Sequence, residues 1–236
     1  MTELGPVNVP VFASDANAIC DAMILLIPWL RTEPRWAGPW VASNAWAIFD
    51  RASEVPLGNY TENLQTGGHP LNNAVGEIVD STSVDVAFAA GNCGGFCPSL
   101  RCGSVDRGPG HSIWGANAHP AVITTGAVRT DETWLGYSSQ GPGPVNLSEF
   151  KPDLCAPSNF TDTLDAHAQN TGTSAACAVL VRAAAALRSK TAIAGVPPGT
   201  LKQALVTTPH KTHGPAWDPR LGNGVLDIEA AIATLP

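Results

Sequence analysis

The sequence predicts an α/β fold, a three-layer α/β/α arrangement around a mainly parallel sheet, in a single domain spanning residues 1–236. Three observations predict it. Strand-like and helix-like segments alternate along the chain, the order that lays parallel strands beneath crossover helices. The strand segments run without polar alternation, as in Val84-Asp85-Val86-Ala87-Phe88-Ala89, which suits a sheet covered on both faces. Apolar residues make up 44% of the chain and charged ones only 14%, a balance that fits extensive burial. A chain of 236 residues can bury a sizeable core as one domain, and no repeat, low-complexity tract or linker divides it.

Gly5 to Phe12 opens the alternation as a strand over 6–12, followed by a helix over 16–30. The end of that helix, Ala22 to Leu30, is apolar but far short of the ~20 residues a membrane span needs, and Asp21 and Arg31 flank it. A strand over 39–46, a helix over 71–81 and a strand over 84–91 come next. The Gly-rich connection from Cys93 to Ala118 is long, and such a connection beside a strand end more often shapes a cleft than serves packing. Strands over 121–128 and 153–156 precede helices over 174–188, 199–206 and 227–234. The helix from Ala175 to Leu187 carries only Arg182 as a charge, so it reads as buried nearly all round.

The balance of charge narrows the classes of partner. A net charge of −7 and a pI near 5.2 argue against nonspecific nucleic-acid binding, and the basic residues Lys151, Arg182, Arg188 and Lys190 are scattered. Met1-Thr2-Glu3-Leu4-Gly5-Pro6 has neither the basic start nor the small-residue cleavage site of a secretory signal. The expected localisation is cytoplasmic if Met1 is the true start and exported if an N-terminal region is missing. Of six cysteines, Cys93, Cys97 and Cys102 crowd one loop, and their spacing fits either one disulfide with a thiol left over or three ligands of a metal site. Cys20, Cys155 and Cys177 read as small buried hydrophobes.

The chemistry-bearing stretch is Asn170-Thr171-Gly172-Thr173-Ser174-Ala175, which opens onto the long apolar helix. Thr173 or Ser174 can serve there as a helix cap. Equally, a serine in the first turn sits among unsatisfied N–H groups and at the positive end of the helix dipole, where developing negative charge is favoured.

The surrounding segments favour the second reading. Val84 to Ala90, ending in Gly91-Asn92, resembles the strand of subtilisin-like serine proteases that presents an oxyanion-hole asparagine. His119 to Val128 resembles the strand that follows it. Tyr137-Ser138-Ser139-Gln140-Gly141-Pro142 and Lys151-Pro152-Asp153-Leu154-Cys155-Ala156-Pro157 are similar to the family's Ser-Ser-x-Gly-Pro and Lys-Pro-Asp-x-x-Ala-Pro signatures. Val41 to Ala47 resembles a cleft-lining strand, and Gly222-Asn223-Gly224-Val225-Leu226-Asp227 the closing turn and strand. These matches stand in the family's order from about residue 41 to 227.

The resemblance implies a serine endopeptidase acting through an acyl-enzyme, with Ser174 as nucleophile and Asn92 as oxyanion donor beside the Ser174 N–H. It implies cleft walls at Ala45, Trp46 and Ala47 and at Ala89, Ala90 and Gly91, with Thr173 beside the nucleophile, and a peptide or protein as substrate. No cofactor is expected and no metal ligand is assigned; the family allows structural calcium, without residues here to place it. Two departures accompany the match. Ala178 stands where the family has a proline, a change that preserves the helix. More consequentially, no Asp-Ser/Thr-Gly or His-Gly-Thr segment precedes the first strand, so the orienting Asp and the base are expected outside this chain, on an upstream fragment or a partner chain, and the first strands of the fold with them. The histidines that are present read otherwise: His69 and His111 as loop residues, His119 at a strand entry, His210 and His213 in a surface connection, and His167 seven residues before Ser174. The alternative function is a non-catalytic homologue that binds a peptide or protein partner in the same cleft.

Overall fold

The computed structural model describes residues 32, 38–52, 60–61, 69–161, 169–210, 214 and 216–236. The strand expected over 6–12, the helix over 16–30, Cys20, His167 and His213 lie outside the described residues. Within them a four-stranded sheet runs in the order β1 (Trp40–Asn44), β2 (Val84–Ala89), β3 (Ile123–Val128) and β4 (Leu154–Pro157), with every neighbouring pair parallel. A short antiparallel pair, β5 (Phe160–Thr161) with β6 (Gln169–Asn170), leads into the long helix. The helices are α1 (Pro70–Thr82), α2 (Gly172–Arg188), α3 (Thr191–Ala194), α4 (Pro198–Thr207) and α5 (Ile228–Ile232), with a 3-10 turn at Gly115–Ala118.

The alternation of side chains along β2 divides the core into the expected layers. Val84, Val86 and Phe88 join Leu71, Val75 and Ile78 of α1, whereas Ala87 and Ala89 face Cys177, Leu180 and Ala184 of α2 with Leu201 and Leu205 of α4. The small residues of β2 on that second face let α2 lie close to the strand. His69 corrects one expectation. Rather than a solvated loop residue it is a buried N-cap of α1, its Nδ1 accepting from Leu71 N at 3.3 Å.

The long helix also differs from its expected burial. Thr173, Ala176, Cys177, Leu180, Ala183, Ala184, Leu187 and Arg188 are buried on one stripe, while Ala178, Arg182, Ala185 and Ala186 are exposed. Alanine explains the misreading, because a methyl counts as apolar in the pattern yet loses little when it faces water. The helix starts at Gly172 with Thr171 as N-cap, so neither Thr173 nor Ser174 is the cap.

Two of the scattered basic residues are buried ties between layers. Arg188, at the C-terminal end of α2, pairs with Asp85 of β2 through Nε at 2.6 Å and Nη2 at 2.8 Å, and donates to the carbonyls of Ile193 and Val196. Burial raises the Asp85 carboxyl above its ordinary range despite this partner. Lys151 of the Lys-Pro-Asp segment is fully buried and donates to Val122 O at 2.9 Å and to Asp153 at 2.5 Å. Lys202 of α4 reaches Asp153 from the other side at 3.1 Å, and Thr124 N donates to the same carboxylate, locking β3 to β4. Burial pulls the Lys151 ammonium down to about 7, while the two lysines hold Asp153 below its usual range although burial opposes them.

Candidate functional site

The site forms where β1 and β2 end and α2 begins. Gly91 follows β2 with φ +105, a left-handed geometry suited to glycine, and turns the chain so that Asn92 faces the start of α2. Ser139 holds this turn on both sides: its N–H donates to Gly91 O at 2.9 Å and its Oγ accepts from Cys93 N at 3.1 Å. Its neighbour Ser138 accepts from Ala127 N at 3.0 Å. Ser139 therefore braces the segment that carries Asn92, while Ser138 anchors the pair to β3.

The orientation of the Asn92 amide follows from donors that can only donate. Thr173 N–H lies 2.9 Å from Oδ1, and a backbone N–H requires an acceptor there. Gly91 N–H donates to Thr173 Oγ1 at 3.1 Å, which leaves that hydroxyl's proton for Asn92 Oδ1 at 3.0 Å. With Oδ1 taken twice, Nδ2 points the other way and has no hydrogen-bond partner among the described residues. Gly172, at φ +80, makes room for it: a Cβ added there would lie 3.1 Å from Nδ2.

Ser174 is the third residue of α2 and half-buried, so its N–H is among those with no acceptor inside the helix. Its hydroxyl donates to Ala45 O at 2.8 Å. Among the described residues no histidine ring bonds it. His69 caps α1; His119 is buried, with Nδ1 accepting from Ala121 N at 3.1 Å, and burial together with Lys151 and Lys202 lowers it to about 4. His210 pairs with Glu132 at 2.8 Å, and His111 is exposed beside Trp114.

The two segments expected to line a cleft approach each other where β1 and β2 end. Asn44 is the last β1 residue in register with β2, opposite Phe88, and beyond it Ala47 lies against Gly91, where an added Cβ would come within 3.2 Å of the Ala47 Cβ. Trp46 turns its ring away into the core, where it packs edge-on against Phe88 at 5.3 Å. Asn117, which sequence reasoning missed, ties the walls: its Nδ2 donates to Trp46 O and to Ala89 O, each at 2.7 Å. Nothing in Gly-Ala-Asn-Ala marks it, since an asparagine in a loop reads as a turn residue.

The loop from Cys93 to Ala118 is pinned to the β1 exit. Arg51 pairs with buried Asp106 at 2.6 Å and lies over the Trp114 ring at 3.7 Å, and Gly103 N donates to Phe49 O at 2.8 Å. Cys93 and Cys102 form a disulfide and Cys97 is an exposed free thiol, which replaces the three-ligand metal alternative. Among the described residues no group of three or more His, Cys, Asp or Glu is placed to hold a metal ion, and no helix is long and apolar enough to cross a membrane. Cys155 and Cys177 are buried as expected, and burial raises the Cys177 thiol to about 11.

The sequence matches the Subtilase family over residues 14–224. The chain belongs to the subtilase family. Among solved structures, this subtilase is similar to the prenylagaramide maturation protease PagA, at 17% identity and TM-score 0.59, over 93% of this chain and 68% of that one. It is similar to MycP1 with the N-terminal propeptide removed, at 19% identity and TM-score 0.61, over 93% and 68%. The patellamide maturation protease PatA aligns at 18% identity and TM-score 0.56, over 92% and 67%. No curated protein sequence matches. At these identities the structural likeness establishes the fold, a subtilisin-like serine protease fold with the parallel sheet at its centre.

Proposed function

We propose that this subtilase carries the nucleophile and oxyanion half of a serine endopeptidase site. Ser174 Oγ attacks the carbonyl carbon of the scissile peptide bond. The oxyanion formed there is met by Asn92 Nδ2 and by the Ser174 N–H at the positive end of α2. The hydroxyl proton passes to a histidine base and from it to the leaving amine; water then releases the acyl group from Ser174 by the reverse sequence. The base and its orienting Asp come from a segment or chain outside residues 1–236, so the isolated chain is incompetent. The observation that carries this reading is the Asn92 amide, held through Oδ1 by two donors from Thr173 with Nδ2 left to donate. An oxyanion donor of this kind supplies about 3 kcal/mol, a magnitude that belongs to subtilisin itself and is carried over.

A second reading, a non-catalytic homologue holding a peptide or protein in the same cleft, is favoured by the Ser174 hydroxyl, which donates to Ala45 O instead of to a base. Reaction with a serine-directed fluorophosphonate separates the two. Labelling of Ser174 once an Asp- and His-bearing segment is supplied supports the enzyme. Labelling of the isolated chain that His167→Ala abolishes overturns the external base, and no labelling under either condition leaves the binding reading.

A further inference from the structure

The cleft walls nearest Ser174 are pinched together. On one wall Ala45 O holds the Ser174 hydroxyl, and two residues further along stands Ala47. On the other wall Gly91 immediately precedes Asn92. A Cβ added at Gly91 would lie 3.2 Å from Ala47 Cβ and 2.8 Å from Ser139 Oγ, so the Ala47 methyl already occupies the space in front of Gly91. One residue before Ala47 and two before Gly91, the buried Asn117 amide bonds both walls through its two N–H groups. An amide nitrogen has only those two protons, and with both engaged at 2.7 Å the wall spacing is set at that level by a rigid bridge. The loop bearing Asn117 is itself fixed to the β1 exit by the Arg51–Asp106 pair, so the walls do not part without breaking several buried contacts.

On the cleft reading, a peptide whose scissile carbonyl lies between Ser174 Oγ and Asn92 Nδ2 would run its acyl side along these two walls, with the adjoining side chain directed between them. We propose that Ala47 and Asn117 are specificity-determining residues that close this slot, so that the cleft selects peptides with a small residue, glycine, alanine or serine, on the acyl side of the bond. A leucine or phenylalanine side chain meets the Ala47 methyl and the Asn117 bridge, and admitting it means overpacking or separating the walls. This inference rests on the cleft reading proposed above.

The test uses peptide boronic acids, whose boron bonds the serine oxygen and so fixes which residue enters the slot. Binding of Ala-Ala-boroGly, Ala-Ala-boroAla, Ala-Ala-boroLeu and Ala-Ala-boroPhe to the full chain, with the Asp- and His-bearing segment supplied, is measured by competition, with Ser174→Ala as the control for covalent capture. The expected result is at least a tenfold preference for boroAla, shrunk at least tenfold by Ala47→Gly, which removes the pinching methyl. Ala47→Val, which narrows the slot further, is expected to lose boroAla while keeping boroGly, and it guards against a glycine variant that loosens the strand. Equal binding of boroAla and boroPhe, or a preference that neither substitution moves, overturns the proposal while leaving the cleft reading intact. Failure of every boronate to bind through Ser174 overturns both.

Discussion

Replacing Thr173 by valine isolates the hydroxyl that aims the Asn92 amide, because valine keeps the branch and volume and loses only the oxygen. In the native chain this oxygen accepts from Gly91 N–H at 3.1 Å and donates to Asn92 Oδ1 at 3.0 Å, with Thr173 and Gly91 both buried. Its loss leaves one buried N–H without an acceptor, about 1–3 kcal/mol, and removes one ordinary hydrogen bond, about 1 kcal/mol. Asn92 Oδ1 keeps the Thr173 N–H, so nothing further is lost there and the net expected destabilisation is about 2–4 kcal/mol. In urea, with a slope of about 3 kcal/mol/M, the midpoint falls by roughly 0.7–1.3 M. Thr173→Ser retains the oxygen and stays within about 1 kcal/mol of the parent. In an Asn92→Ala background the valine substitution costs less, with a coupling on the order of 0.5–3 kcal/mol. In a complemented enzyme the fluorophosphonate rate falls as well, by less than the 10²–10³-fold on the order of which a lost oxyanion donor costs. Equal midpoints for the valine and serine variants, or strict additivity with Asn92→Ala, would refute the relay from Gly91 through Thr173 to Asn92.

Other consequences can be checked on the same chain. Arg188→Met strands the buried Asp85 carboxylate and is expected to cost about 3–5 kcal/mol by chemical denaturation; adding Asp85→Leu recovers much of this, leaving the loss at the Ile193 and Val196 carbonyls. His119, lowered to about 4 by burial and by the nearby lysines, is neutral in the folded chain over a range where the unfolded chain, at about 6.5, binds a proton. Stability therefore falls as pH drops from about 6.5 to 4, and His119→Asn, which can still accept from Ala121 N, flattens this slope in urea titrations at stepped pH. Reducing Cys93–Cys102, whose partners are 9 residues apart, removes about 2–3 kcal/mol of stability, measured against a control in which only Cys97 is alkylated.

Much of the architecture was legible in order along the chain. The strands over 84–91, 121–128 and 153–156 and the helix over 71–81 match β2, β3, β4 and α1 to within a few residues, since unbroken apolar runs bounded by turns leave few alternatives. The short α3 and the 3-10 turn at Gly115–Ala118 were not expected, because pieces of one turn carry no period. Ser174 and Asn92 were singled out by the segments around them, 82 positions apart in sequence and joined in space through Thr173. In the sequence the buried lysine and arginine stand only as scattered basic residues, because nothing local distinguishes a solvated cation from one whose carboxylate lies elsewhere in the fold.

By itself the sequence determined the layered α/β class, the family resemblance and the two polar side chains at the mouth of the sheet. These are properties of local pattern and motif order. Tertiary structure alone decided which way the Asn92 amide faces, that Asn117 bridges the walls and that Ala47 closes on Gly91. Each depends on distances between segments far apart in the chain, and a hydrogen bond or a methyl contact is gained or lost over less than an ångström.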